Sequence, residues 1–168
     1  NEYSTGHPTV SQDGKILIFA SDMPRGFGGT DLYYCVRTGD GKKWGRPTNL
    51  GPKINTEGNE QFPFLHVNGK LYFSSTGHPG LGGLDIFEVV LKDLKAVGSP
   101  KNMGIDINSS SDDFGFIMDA SGKTGFFSSN RRGNDDIYQF TRMVYTVVLK
   151  GKVIDGGTNA PLPGTRVI

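Results

Sequence analysis

One pattern is written three times along this chain. The segments IFASDMPRGFGGTDLYY, YFSSTGHPGLGGLDIFE and FFSSNRRGNDDIYQF each run from an aromatic strand end into a polar or glycine-rich loop and then into an Asp-aliphatic-aromatic triplet. Phe19, Phe73 and Phe127 are 54 residues apart each time, and Gly14, Gly69 and Gly122 are 55 and 53 apart. Asn49-Leu50-Gly51 returns 53 residues later as Asn102-Met103-Gly104, and Ile54-Asn55 as Ile107-Asn108. A fixed period of this length means one supersecondary unit stacked on itself, because a single unit of that size cannot bury its own apolar face.

The punctuation inside each unit predicts four strands. A short run (8–11, 62–66, 114–118) meets a turn containing Gly14, Gly69 or Gly122, which supplies the positive φ of a tight hairpin. The second strand (15–21, 70–75, 123–129) ends in the loop, and the third starts at Asp31, Asp85 or Asp136. A fourth (44–50, 96–103) carries a Pro, which suits an edge position lacking one ladder bond. The third unit has no such outer strand. With 25 Gly, 9 Pro and 11% aromatics among 168 residues, short strands and tight turns are favoured over long helices. The fold class expected is all-β, made of four-stranded antiparallel propeller blades.

Lys plus Arg number 18 against 17 for Asp plus Glu, so no net field draws in nucleic acid or anionic lipid. No stretch of about eighteen apolar residues is present, so direct membrane insertion is not expected. His7, His66 and His78 lie at no metal-ligand spacing, so no metal or other cofactor is expected. The lone Cys35 sits among strand residues with no His near it to activate it. Ser121-Gly122-Lys123-Thr124 mimics the end of a P-loop, but Ile117 stands where the first Gly belongs. Asp106, Asn108, Ser110 and Asp112 alternate as in a calcium loop, yet its sixth and twelfth places hold Ser111 and Ile117. The repeated Asp at each third strand is read as bonding amides of the loop before it, and the glycines of 26–29 and 80–83 as turn chemistry.

The Asp-Gly-Lys turn, the aromatic strand end, the Gly-Gly loop and the Asp-Ile-Tyr triplet resemble the WD40-like repeats of bacterial periplasmic propellers of the TolB type. The resemblance covers residues 1–140, with the domain boundary placed near Arg142, and implies a ring of blades. Three units are fewer than the roughly four to eight blades of a ring, so further blades are expected upstream, or a ring completed in another way. The chain opens at Asn1 and stops at Ile168 within an apolar run, and is read as part of a longer protein. Residues 143–168, MVYTVVLKGKVIDGGTNAPLPGTRVI, resemble the start of a carboxypeptidase-regulatory-like domain, an Ig-like β-sandwich.

That order of domains is similar to the centre of OmpA-family envelope proteins of the type IX secretion system. The resemblance implies a periplasmic, outer-membrane-associated and non-catalytic scaffold that links the machinery to peptidoglycan. Its partners would be protein components of an envelope or secretion complex, with peptidoglycan reached only through a domain outside this chain. Two alternatives stay open: the substrate-gating propeller of a peptidase, and a glycan-binding or sialidase-like propeller. Ser11-Gln12-Asp13-Gly14 departs from the sialidase turn by lacking a residue between Asp and Gly. The candidate partner-binding residues are the variable loop tips Arg25, Phe27, His78, Leu81, Arg131 and Arg132, since Arg and apolar side chains on a rigid rim are the types that dominate interfaces.

Overall fold

The computed structural model describes residues 2–143 and 151–164, and among these there is no helix. Three antiparallel sheets follow one another along the chain. The first is β1 (Thr5–Val10), β2 (Ile16–Ser21), β3 (Asp31–Val36) and β4 (Thr48–Asn49); the second is β5 (Glu60–Leu65), β6 (Lys70–Ser75), β7 (Asp85–Lys92) and β8 (Lys95–Asn102). The third has β9 (Asp113–Met118), β10 (Thr124–Ser129) and β11 (Asp136–Thr141), with no fourth strand among the described residues. In each sheet the strands lie side by side in chain order. The first strands gather at one edge, where β5 lies against both β1 and β9.

The hairpin glycines Gly14, Gly69 and Gly122 adopt φ of 69°, 82° and 70°, as the turn positions require. Beside two of them the Asp13 and Asp119 carboxylates accept bonds from Ser11 and Ser121 hydroxyls and from the amides of Lys15 and Lys123. The hydroxyl bonds above all hold both carboxyls below the ordinary carboxylate range. The turns are therefore supported at neutral pH and lose that support as pH falls through the lowered values.

The middle sheet is covered on both faces, which is why Leu71 to Ser75 reads as an unbroken buried run. Leu71, Phe73, Phe87 and Val89 pack against Ile18, Ala20 and Leu32 of the first sheet, with Leu50 and Ile54. Tyr72 and Ile86, from the opposite face, pack against Phe116, Met118 and Phe127 of the third, with Ile107. Burying an Ile as fully as Ile54 is worth about 1.5–3 kcal/mol.

The repeated Ile-Asn pair closes each joint. Asn55 is buried; its Oδ1 accepts from Leu32 N–H at 2.8 Å and its Nδ2 donates to Leu32 C=O at 3.0 Å and to Asn49 Oδ1 at 2.7 Å. Asn108 does the same for Ile86, at 2.8 and 2.9 Å, and for Asn102 Oδ1 at 2.9 Å. The Gly-Gly loops belong to the same joints. A Cβ on Gly28 would stand 2.4 Å from Thr56 O, and one on Gly82 2.1 Å from Ser111 O, so these glycines let the loop touch the connector of the next sheet.

The strand expectations hold with two differences. The first strand of each unit starts earlier than its alternation suggests, because a β-bulge interrupts the period. In the first sheet the outer strand shrinks to Thr48–Asn49, with an isolated bridge between Arg37 and Trp44. Within 143–168, residues 144–150 and 165–168 lie outside those described, and the rest contribute one bridge, Ile154 to Pro161.

Replacing Asn55 by Ala leaves the Leu32 N–H without a partner inside a dry joint, while the Leu32 C=O still accepts from Leu50 N–H at 3.0 Å. At about 1–3 kcal/mol for an unsatisfied group, Asn55→Ala should lose about 2 kcal/mol in urea unfolding. A loss below about 0.5 kcal/mol would remove the latch from this account.

Candidate functional site

The bulges at the gathered edge set up an aromatic row. Register places His7, Phe62 and Gly115 at one position of their three sheets, and all three have positive φ, 51°, 50° and 66°. For a bulky residue such as Phe this conformation is a true outlier that costs on the order of 1–3 kcal/mol. Glycine holds it freely in the third sheet. In the other two the strained residue carries a ring, and the His7 and Phe62 rings stack at 3.8 Å between centroids with their planes 20° apart. Phe114, one residue before Gly115, extends the row with its ring 5.0 Å from that of Phe62.

Burial against this row lowers the His7 imidazole from its ordinary value of 6.5, so the ring is neutral at pH 7. Stability tied to the neutral ring is present above that value and is lost as pH falls below it. Beside the row, between the first strands of sheets one and two, lies a pocket of about 240 Å³ lined by Ser4, Thr5, Gly6, His7, Ala20, Ser21, Thr30 and Gln61. Its polar groups are hydroxyls and an amide, and none of its lining side chains is acidic or carries a fixed positive charge. It is smaller than the roughly 300–1,000 Å³ of a site for a drug-sized ligand.

Two carboxylates head the neighbouring inner strands. Glu60 is wholly buried and accepts from Thr56 N–H at 2.7 Å and from the hydroxyls of Thr56 and Ser75 at 2.6 Å each. Asp113 is equally buried, accepts from Ser109 N–H at 2.6 Å and pairs with Arg131 at 2.5 Å. Both are held by bonds that tie a connector to its own sheet. Among the described residues no group of three or more His, Cys, Asp or Glu side chains could hold a metal ion. Cys35 is buried and burial raises its thiol pKa, which keeps it protonated.

The loop-tip candidates separate into two sets. Arg131 turns inward: besides Asp113 it donates to Ser129 Oγ at 2.9 Å and to the Ile107 carbonyl, and its guanidinium lies over Phe127 and Tyr138 at 5.2 and 4.9 Å. His78 fills the corresponding slot of the second sheet. Its Nε2 meets the Ile54 carbonyl at 2.8 Å, and its ring packs on Phe73 and Phe87 at 5.8 and 5.2 Å. Both side chains are plugs between a sheet and the preceding connector. Phe27, Leu81 and Arg132 stand at one equivalent position, four residues before the triplet Asp, and point outward; Phe27 is 47% and Leu81 48% exposed. Arg25 is exposed and has φ of 72°.

Asp31 and Asp85 accept loop amides as expected, from Phe27 and Gly28, and from Leu81 and Gly82. Asp136 is exposed, and among the described residues it accepts no such bond. The turn reading holds for Gly26 and Gly80, which make room for the Asp31 and Asp85 carboxylates of their own loops, and is extended for Gly28, Gly29, Gly82 and Gly83, which are required by the connector of the next sheet. The axial row itself was missed from the sequence. Its signal was faint, an aromatic or His beside Pro or Gly in Gly6-His7-Pro8, Gln61-Phe62-Pro63 and Phe114-Gly115.

No family model matches the chain, and no curated protein sequence matches it. Solved structures share its fold. An endo-arabinase from Bacteroides thetaiotaomicron superposes with a TM-score of 0.57 and 16% identity, over 86% of this chain and 58% of its own. A puromycin-hydrolysing peptidase from Mycobacterium tuberculosis gives 0.52 and 15%, over 83% of this chain and 22% of its own. A thermostable family-43 glycoside hydrolase covers 99% of this chain and 62% of its own at 15% identity, with a TM-score of 0.47 that is too low to argue from. This chain therefore spans little more than half of the endo-arabinase and under a quarter of the peptidase. The likeness establishes a β-propeller-like arrangement of antiparallel sheets.

It also corrects one expectation. The chain was expected not to be an enzyme because no catalytic motif runs along it, yet the endo-arabinase built on this arrangement is an enzyme. Catalytic groups converge in space from separate strands, so a missing linear motif is no ground for excluding catalysis.

The two arginines of the third loop should respond differently to truncation. Arg131→Ala strands the buried Asp113 charge and should cost about 3 kcal/mol, while Arg132→Ala should stay within about 0.5 kcal/mol. Equal losses in urea unfolding would contradict the inward role of Arg131.

Proposed function

We propose that this chain is the substrate-holding part of a carbohydrate-active propeller, with WD40-like blades that belong to a larger ring and a sandwich domain beginning near residue 143. The observation that carries the proposal is the strained aromatic row. His7 and Phe62 hold a backbone conformation that Gly115 reaches without strain, so their rings serve something other than the bulge itself. Flat neutral rings beside hydroxyl and amide groups form the surface on which a sugar ring stacks through its C–H face while its hydroxyls find partners. The adjacent pocket, with no acidic or permanently cationic side chain, suits a neutral residue of a glycan chain in preference to an acidic one. The fold it shares with an endo-arabinase supports this class of ligand and makes arabinan oligosaccharides the first to test.

A second reading, docking of an envelope or secretion protein, is supported by Phe27 and Leu81, two exposed apolar tips at equivalent positions. Those tips do not touch the axial row, so the two readings respond to different substitutions.

Phe62→Gly separates ligand binding from folding. Relief of the positive φ offsets the lost ring contact, so stability should change by no more than about 1 kcal/mol. Affinity for arabino-oligosaccharides, or for whichever neutral oligosaccharide binds best by calorimetry, should fall at least about tenfold, the equivalent of about 1.4 kcal/mol. The proposal fails if no neutral oligosaccharide binds at millimolar concentration, or if Phe62→Gly binds as tightly as the parent.

A further inference from the structure

The three hairpin turns are closed alike, by a bond from the glycine N–H to the carbonyl three residues before it. They differ in the residue ahead of that glycine, which is Asp13, Asn68 or Ser121. Asn68-Gly69 is the one Asn-Gly pair in the chain, beside three Asp-Gly pairs at 13–14, 40–41 and 155–156. Asn68 is exposed, and its Oδ1 accepts from Lys70 N–H at 3.0 Å. A side chain bonded to the amide two residues on is folded back over the peptide between them. The carboxamide carbon is thereby brought over the Gly69 nitrogen. Glycine puts no side chain in the way, and even a Cβ there would come no nearer than 3.8 Å to its closest neighbour, Leu91 O.

We propose that Asn68 is a site of self-modification, where deamidation through a cyclic imide turns the carboxamide into a carboxylate. The Gly69 nitrogen gives its proton to solvent base and attacks Cγ of Asn68; a C–N bond forms and the side-chain nitrogen leaves as ammonia. Water then opens the imide at either carbonyl. One opening gives aspartate on the original main chain, the other gives isoaspartate, whose main chain runs through Cβ and Cγ. Nothing is oxidised or reduced. Two of the Asp-Gly pairs fold their side chains in the same way, with Asp13 Oδ1 on Lys15 N–H and Asp40 Oδ1 on Lys42 N–H at 3.1 Å each. Hydrogen bonds above all hold Asp13, Asp40 and Asp155 below the ordinary carboxylate range, and an ionised carboxylate is a poor electrophile. Asn68 presents a neutral one.

The same turn ties the second sheet to the third. Asn68 N–H donates to Nδ1 of the buried His66 at 3.3 Å, which leaves Nε2–H to donate to Asp119 C=O at 2.9 Å. The two products therefore act differently. Aspartate reproduces the Asp13 turn, in which a carboxylate accepts the amide two residues on, and keeps the tie. Isoaspartate lengthens the main chain by one carbon between Asn68 and Gly69. The bond from Gly69 N–H to His66 C=O, at 3.0 Å, and the bond from Asn68 N–H to the ring then lose their common spacing, and His66 releases Asp119. The modification is independent of any ligand at the aromatic row.

The test ages the full chain in mildly alkaline buffer, folded and unfolded in guanidinium, and maps it by peptide mass spectrometry with enzymatic labelling of isoaspartate. A mass gain of about 1 Da should build up at Asn68. In the folded chain it should form at a rate within about tenfold of that in the unfolded chain. Asn68→Ser, which copies the third turn, should abolish it. By NMR the exchange-protected Nε2 proton of His66 should vanish in the isoaspartyl form and persist in Asn68→Asp. The proposal is overturned if folding slows the conversion by more than that factor, if the label appears first at Asp13, Asp40 or Asp155, or if the isoaspartyl form keeps the His66 proton.

Discussion

A buried asparagine side chain that bonds both backbone groups of one strand residue holds this stack of sheets together. Leu32 and Ile86 each turn an N–H and a C=O toward the outer strand of their own sheet, where the C=O also accepts from Leu50 or Met103 N–H but the N–H is met by the asparagine alone. In a joint packed with Ile18, Phe73 and Phe87 that N–H would otherwise be dry and unbonded, a state that costs as much as an apolar contact or more supplies. A short carboxamide solves this because it donates and accepts in one plane at one site. The same two residues bring Ile54 or Ile107 into the core, so polar satisfaction and apolar burial are achieved by one dipeptide. The joint consequently has a single register.

Close approach on one side of the joint creates a slot on the other. Gly28 and Gly82 let the loop press against the following connector, and across the joint a side chain must fill the space over two stacked rings and reach the connector carbonyl. His78 does this with an imidazole over Phe73 and Phe87, and Arg131 with a guanidinium over Phe127 and Tyr138. In the first sheet Met23 packs beside Phe19 and Tyr33 in a related way. These residues vary among the units, yet the slot asks for shape and a donor and is indifferent to which flat group supplies them. Variation within a repeat is therefore weak evidence of partner contact.

Much of the architecture was legible because the repeat carries its own punctuation. The hairpin glycines, the Asp triplets and the Pro-bearing outer strands each had one local physical reading, and the sheets follow them. The start of each first strand was not legible, since the bulges at His7, Phe62 and Gly115 break the alternation by which a strand is recognised. The inward turn of Arg131 was hidden for another reason: its partners Asp113 and Ile107 are 18 and 24 residues away, and only the joint brings them together. The repeated Asn-Leu-Gly and Ile-Asn segments were visible as a period, but the bonds of Asn55 and Asn108 to Leu32 and Ile86 span 23 and 22 residues. What the sequence concealed was in each case a long-range contact or a deliberate break in local pattern.

The axial row shows why such a break is informative. Three equivalent positions adopt the same left-handed backbone, and one of them, Gly115, demonstrates that the bulge needs no side chain. If the ring at Phe62 served only to fill space, a ring on a neighbouring unstrained residue would do as well, as Phe114 does in the third sheet. Placing rings on the strained residues themselves puts His7 and Phe62 face to face at 3.8 Å, and the short, bent strand fixes their orientation. A fold that gives up on the order of 1–3 kcal/mol per residue to set that geometry has stored it where a ligand can use it, which is where strain concentrates in proteins that bind. The propeller-like fold is shared by enzymes of different chemistry and does not by itself choose among functions. The choice rests on this row and on the uncharged pocket beside it, where two flat neutral rings meet hydroxyls and an amide at the one edge that all three sheets share.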